Sequence, residues 1–185
     1  MIETILIAFI VSKIKGYNIK PLFKSWEIYP VIIMEVLYWI GQVMIWNEYY
    51  EVVKVLVFFK TIYLCSYIFL VYKYEVYISA IVGASCISLG GLLNDLAIRA
   101  NGGFMPVYPT LSYITGYAKP DAFQVVNDIH ILGGSTTSFK ILTDFIDLGY
   151  SVLSIGDILI RVFVFLIIFN SIKKINLKAK EESLC

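Results

Sequence analysis

The chain has 185 residues, 59% of them hydrophobic and 16% charged, with a net charge of +1 and a mean hydropathy of +0.78. A soluble domain lies nearer about 45–50% apolar and about 25% charged, so the composition describes a polytopic membrane protein. The near-neutral charge, without any basic cluster, argues against a nucleic-acid partner.

In chain order, the first apolar run is "MIETILIAFIVS". It is short, carries Glu3 near its start and lacks the basic flank of a cleavable signal peptide, so a retained short helix is expected. Lys13, Lys15, Lys20 and Lys24 follow. Spans need about 20 mostly apolar residues, and the next runs predict them at 28–46 and 52–72, joined by the acidic turn "NEYYE". A fourth is expected at 76–93 and a last at 157–172, before "KKINLKAKEESLC". The fold class is therefore all-α: a polytopic transmembrane helix bundle of about five spans, the first one short, forming a single membrane domain over 1–185.

The positive-inside rule orients these spans. The lysines after the first run, Lys73, and those after the last span all fall on one side, which is then the cytoplasm. This predicts a multi-pass protein of the cell membrane, N-terminus out and C-terminus in. Residues 94–156 then form an extracytoplasmic cap, too polar and too rich in Gly and Pro to span. Within it, "FQVVNDIHIL" and "SFKILTDFIDL" predict short amphipathic pieces at the membrane surface.

Three acids crowd the mouth of the last span: Asp144, Asp147 and Asp157. Two carboxylates held close share a proton, so that one serves as base for water and the other as acid for a leaving amine. A peptide bond can be hydrolysed that way without metal or cofactor. The same residues also admit a local reading. "SIGD" fits the capping box S-x-x-[DE], with Ser154 as N-cap and Asp157 reaching back to it.

A second cluster is "GGLLNDLAIRANGGFMPV". Its glycines permit close helix packing. Asn94, Asp95 and Arg99 arrive where the fourth span leaves the bilayer, and Arg99 has the chemistry to neutralise a carboxylate or grip a carbonyl or phosphate. Asn101 opens the turn "NGG". His130, the only histidine, stands beside Asp128 with no G-x-S-x-G elbow in the chain and reads as a hydrogen-bonded structural residue. Cys65 and Cys86 lie within apolar runs and Cys185 is the last residue, so neither a disulfide framework nor a metal site is expected. Glu35, Gln42 and Ser66 are the few polar residues inside spans.

"GGLLNDLAIR", "LTDFIDL" and "SIGDILI" together resemble lipoprotein signal peptidase, also called signal peptidase II. The resemblance covers the C-terminal half and implies a membrane-embedded aspartyl peptidase working at the outer face. It implies Asp144 and Asp157 as the catalytic pair and Asn94 and Arg99 as substrate-holding residues. Asp147 and Asn101 join them as candidate substrate contacts, with Asp147 and Asp95 as alternatives to Asp144 for the second acid. The implied partners are the bilayer and a membrane-tethered peptide or lipopeptide; no cofactor or metal is implied. Ser154 and Gly156 stand where that family has Asn and Ala. Over its whole length the chain also resembles an uncharacterised family of small bacterial polytopic membrane proteins, through the lysines after the short first helix, "NGGFMPV", the isolated histidine and the terminal "SIGD" helix. That likeness implies a fold but no activity. The competing class is a non-catalytic binding or carrier protein for a small molecule or lipid head group.

Overall fold

The computed structural model describes residues 1–119, 123 and 128–182. The chain is mostly helical, and four helical segments are long and apolar enough to cross a membrane: Trp26–Trp46, Val52–Tyr74, Tyr77–Ala100 and Ile155–Glu182. In chain order the helices are α1 (Ile2–Ile14), α2 (Lys20–Phe23), α3 (Tyr29–Trp46), α4 (Val52–Ser66), α5 (Ile68–Tyr74), α6 (Tyr77–Ala100), α7 (Leu111–Ile114) and α8 (Ile155–Glu182). Four short strands accompany them: β1 (Met105–Val107), β2 (His130–Leu132), β3 (Ile146–Asp147) and β4 (Val152–Leu153).

Two features depart from the expected spans. Helix α1 forms, but its 13 residues rise only about 20 Å, short of a hydrocarbon core of about 30 Å. Among the described residues four helices are of spanning length, and α1 is the short first helix. Helix α6 runs beyond residue 93 to Ala100, because Asn94, Asp95 and Arg99 do not interrupt the backbone ladder. It stops where Gly102 and Gly103 adopt φ of +69° and +92°, and Gly103 N–H closes the helix end on the Ile98 carbonyl at 2.9 Å.

The chain divides into two compact units. The first contains residues 1–37, 59–86 and 161–185. Here α1 lies alongside α8 in parallel. Arg161 Nη1 donates to Glu3 Oε2 at 2.7 Å near one end, and the Asn18 backbone and Asn176 side chain exchange hydrogen bonds of 2.7 and 3.0 Å near the other. Ala8, Val164, Ile168 and Ile172 are fully buried in this unit. So is a polar chain: Tyr63 donates to Glu35 Oε1 at 2.5 Å and its hydroxyl lies 2.5 Å from that of Tyr67. Polar groups at membrane depth pair with one another because nothing else there can satisfy them.

The second unit contains residues 38–58 and 87–160. Its cap combines two strand pairs with the short helix α7 and one 3-10 turn. Residues 120–122 lie outside the described residues, as do 124–127, most of the first half of "FQVVNDIHIL". The end of that stretch is β2, which pairs in parallel with β1 in the register Met105↔His130, Pro106↔Ile131 and Val107↔Leu132. The second predicted piece gives one 3-10 turn, Lys140–Leu142, and then β3, which pairs antiparallel with β4. Strand pairing wins because β1 offers a backbone edge on both sides. Met105 N–H donates to the Ile129 carbonyl at 2.7 Å, while the Pro106 carbonyl accepts from Asp144 N–H at 3.1 Å on the other side. Pro106 therefore faces away from β2, and its missing N–H leaves the β1–β2 ladder intact.

Candidate functional site

Strand β1, the "MPV" of the Gly-rich block, decides which residues of the second unit meet. All three of its residues are buried. With β2 on one side and Asp144 bridged to Val107 on the other, it holds His130 and Asp144 across its width. Asp144 Oδ2 stands 3.7 Å from His130 Nε2. Asp144 is only 5% exposed, and the imidazole is 38% exposed.

Asp128 sets the orientation of that ring. Its Oδ1 accepts the His130 backbone N–H at 2.8 Å, and its Oδ2 lies 2.6 Å from Nδ1. A carboxylate on Nδ1 leaves Nε2 as the working nitrogen, and Nε2 faces Asp144. Burial on its own lowers the pKa of His130. The Asp128 hydrogen bond and the charges of Asp128, Asp144 and Asp157 outweigh it and push the imidazole above its ordinary value. The same contact, working against burial, holds Asp128 below the usual carboxylate range.

Asp157 opens α8 with a capping box. Ser154 Oγ accepts the Asp157 backbone N–H at 2.9 Å, and Asp157 Oδ2 accepts from the Ser154 N–H at 3.3 Å. The Ser154 hydroxyl has one proton and two acceptors within reach, Asn94 Oδ1 at 2.8 Å and Asp157 Oδ2 at 3.1 Å. Asn94 and Asp157 are thus joined through Ser154. Their meeting depends on two glycines. A Cβ on Gly156 would run into Asn94 Oδ1 and stand 2.5 Å from the Gly90 carbonyl, and a Cβ on Gly90 would overlap the Gly156 carbonyl. Only bare backbone lets α6 and α8 approach this closely.

The other candidates have different partners. Asp147 accepts from Thr110 N–H (2.7 Å), Ser112 N–H (2.8 Å), Ser112 Oγ (2.5 Å) and Gly149 N–H (2.8 Å). Burial raises its pKa, but these four donors overcome that and hold it low. Asp147 thereby fastens the start of α7 to the β3–β4 hairpin. Asn101 clamps Ser138, donating to its carbonyl at 3.0 Å and accepting its N–H at 2.9 Å. Arg99 makes an exposed pair with Asp95 at 2.7 Å, one helical turn away on α6. Asp144 faces His130, and Asp157 and Asn94 meet at Ser154; Arg99, Asp95, Asn101 and Asp147 are engaged elsewhere. The hydrogen-bonded His130 expected from the sequence finds its partner in Asp128, while Asp144 on the ring's other nitrogen was not foreseen. The signal for Asp128 was "DIH", an Asp two positions before a His, which allows the carboxylate to reach both the backbone and the ring.

A family model described as a family of unknown function (DUF5317) matches residues 19–169. The chain belongs to that family. The match agrees with the whole-length likeness to small membrane proteins without an assigned activity, and gives no evidence of a relationship to signal peptidase II. No curated protein and no solved structure matches the chain. The family's matched region takes in β1, His130, Asp144 and the capping box of α8, together with three of the four helical segments of spanning length in full.

Proposed function

We propose that this family member is a membrane-embedded hydrolase of the aspartyl-peptidase kind, cleaving a membrane-tethered peptide or lipopeptide where α8 begins. The observation that carries this reading is the Asp144 carboxylate facing an imidazole that Asp128 orients. Asp144 faces Nε2 of His130 at 3.7 Å, and both Asp144 and Asp157 raise the basicity of that ring.

In this reading Asp144 takes a proton from water as the water oxygen bonds to the scissile carbonyl carbon. His130, protonated and oriented by Asp128, gives its Nε2 proton to the leaving amine as the C–N bond breaks. Asp144 then returns its proton to His130, restoring the starting state. Asp157 opposes the imidazolium charge from the first turn of α8, and Asn94 is held beside it through Ser154. The lysines at 73 and 173–180 support this end of α8 facing outward and its C-terminal end facing the cytoplasm of a bacterial cell, by the positive-inside rule.

The test is terminal-peptide mass spectrometry of membranes from cells carrying wild type, Asp144→Asn or His130→Gln. The reading expects one set of cleaved termini to vanish in both variants; unchanged termini in Asp144→Asn would sink it. One observation favours a second reading, a non-catalytic binding or carrier protein for a small molecule or lipid head group. Asn94 and Asp157 both bond to Ser154, and Asp128 bonds to His130, as in a rigid polar wall. In that case the termini are unchanged, while His130→Gln still weakens retention of the bound molecule.

A further inference from the structure

The loop that leads into Asp144 carries two features that nothing among the described residues of the second unit compensates. Phe139 adopts φ +47° and ψ +48°, a left-handed conformation that strains a residue with a bulky side chain. The side chains this turn presents are also apolar and open, with Phe139 57% and Ile141 64% exposed. Among the described residues, this strained turn leaves an aromatic and an isoleucine largely uncovered.

The loop is nonetheless firmly built. Ser138 is gripped on both backbone groups by Asn101, whose amide also donates to the Ala97 carbonyl at 2.8 Å. On one flank Tyr108 lies against Gly133, where any Cβ would overlap its ring, and donates to the Gly134 carbonyl at 3.1 Å. On the other flank Lys140 Nζ sits 4.4 Å from the centre of the same Tyr108 ring, and Thr143 Oγ1 donates to the Lys140 carbonyl at 2.6 Å.

Asn101 also fixes where the loop stands. It directly follows α6, whose 24 residues rise about 36 Å, enough to cross the hydrocarbon core and leave it. A tip tied to that residue starts at the level where α6 emerges from the bilayer. On α6 itself, Leu89, Leu92 and Leu96 are all about half or more exposed.

We infer that Phe139 and Ile141 form a finger that inserts into the lipid interface at the C-terminal end of α6. The occupant of this surface is the bilayer itself. Lipid covers the two side chains, and that contact accounts for the strained turn which points them outward. The inference stands apart from the proposed hydrolase activity. Its consequence for that site is positional: Thr143 connects the anchored turn to Asp144, so the carboxylate is held at a set depth relative to the membrane surface.

The experiment places one nitroxide label at a time on full-length protein in lipid nanodiscs, in a background with Cys65, Cys86 and Cys185 replaced by alanine. The labelled positions are Phe139→Cys and Ile141→Cys, with Ile81→Cys as the lipid reference and Thr136→Cys as the water reference. Power saturation against oxygen and a water-soluble nickel complex reads depth. The inference expects the 139 and 141 labels to favour oxygen over nickel by several-fold relative to Thr136→Cys, approaching Ile81→Cys. A ratio equal to that of Thr136→Cys overturns it. So does a label shielded from both reagents, which would mean a protein neighbour covers the finger. If Phe139→Cys fails to fold, Ile141→Cys decides alone, because Ile141 lies outside the left-handed position.

Discussion

His130 Nε2 and Asp144 Oδ2 stand 3.7 Å apart because β1 carries one on each flank, by its pairing with β2 and by its bridge through Val107. Neither residue is near the other in local structure. The contact depends on a three-residue strand that borders both, and the candidate site rests on it.

The electrostatics of this pair set a pH window. The folded pKa of His130 is raised above 6.5, so its contribution to stability is complete below about 6.5 and is lost as pH rises through the folded value. That of Asp128 is lowered below 3.8, so its contribution is present above about 3.8 and is lost as pH falls through the folded value. Between these limits the pair stabilises the cap. The melting temperature of wild type in detergent should therefore decline on the alkaline side of neutrality more than that of His130→Gln, and parallel curves would contradict the assignment.

The close approach of α6 and α8 predicts a sharp contrast among neighbouring glycines. Gly156→Ala and Gly90→Ala place a Cβ against backbone and Asn94 and should each destabilise by about 1–3 kcal/mol. At Gly91 a Cβ meets nothing, and alanine there should be neutral or stabilising by up to about 1 kcal/mol, since glycine weakens helices. Denaturant or thermal unfolding of the three variants side by side checks the geometry; equal losses would refute it.

Ser154→Ala should cost about 1–2 kcal/mol, the ordinary loss for an N-cap, and should free Asn94 from α8. Asn94→Ala removes the other partner, so the double variant should lose less than the sum of the single ones. A double-mutant cycle measures that coupling.

Asp147 accepts four hydrogen bonds, and Asp147→Ala should cost about 2 kcal/mol or more by orphaning buried donors. Because its folded pKa is lowered, its contribution is present above the ordinary Asp value and is lost as pH falls through the folded one. The acid limb of the unfolding curve should flatten in the variant. Arg99→Ala, by contrast, removes only an exposed pair on α6 and should shift stability by less than about 0.5 kcal/mol. A loss of function without a loss of stability there would identify Arg99 as a substrate contact.

Some of this architecture could be read directly from the chain. The long apolar runs required spanning helices, because a bilayer core tolerates little else, and the ends of the second and third fell close to where they were expected. "SIGD" was legible as a capping box since both of its partners lie within one helical turn. Other features depended on contacts between distant segments. Whether α6 ended at 93 or 100 was decided by the backbone turn at Gly102 and Gly103. The three acids near α8 look alike in sequence, yet Asp147 secures a loop, Asp157 caps a helix and Asp144 faces an imidazole. A side chain's type is local information, but its partner is set by strand pairing and by the glycine contact between α6 and α8. The sequence by itself determined the membrane-spanning helices and the helix cap; only the tertiary structure decided which carboxylate meets His130, because that choice depends on β1 joining two remote stretches of backbone.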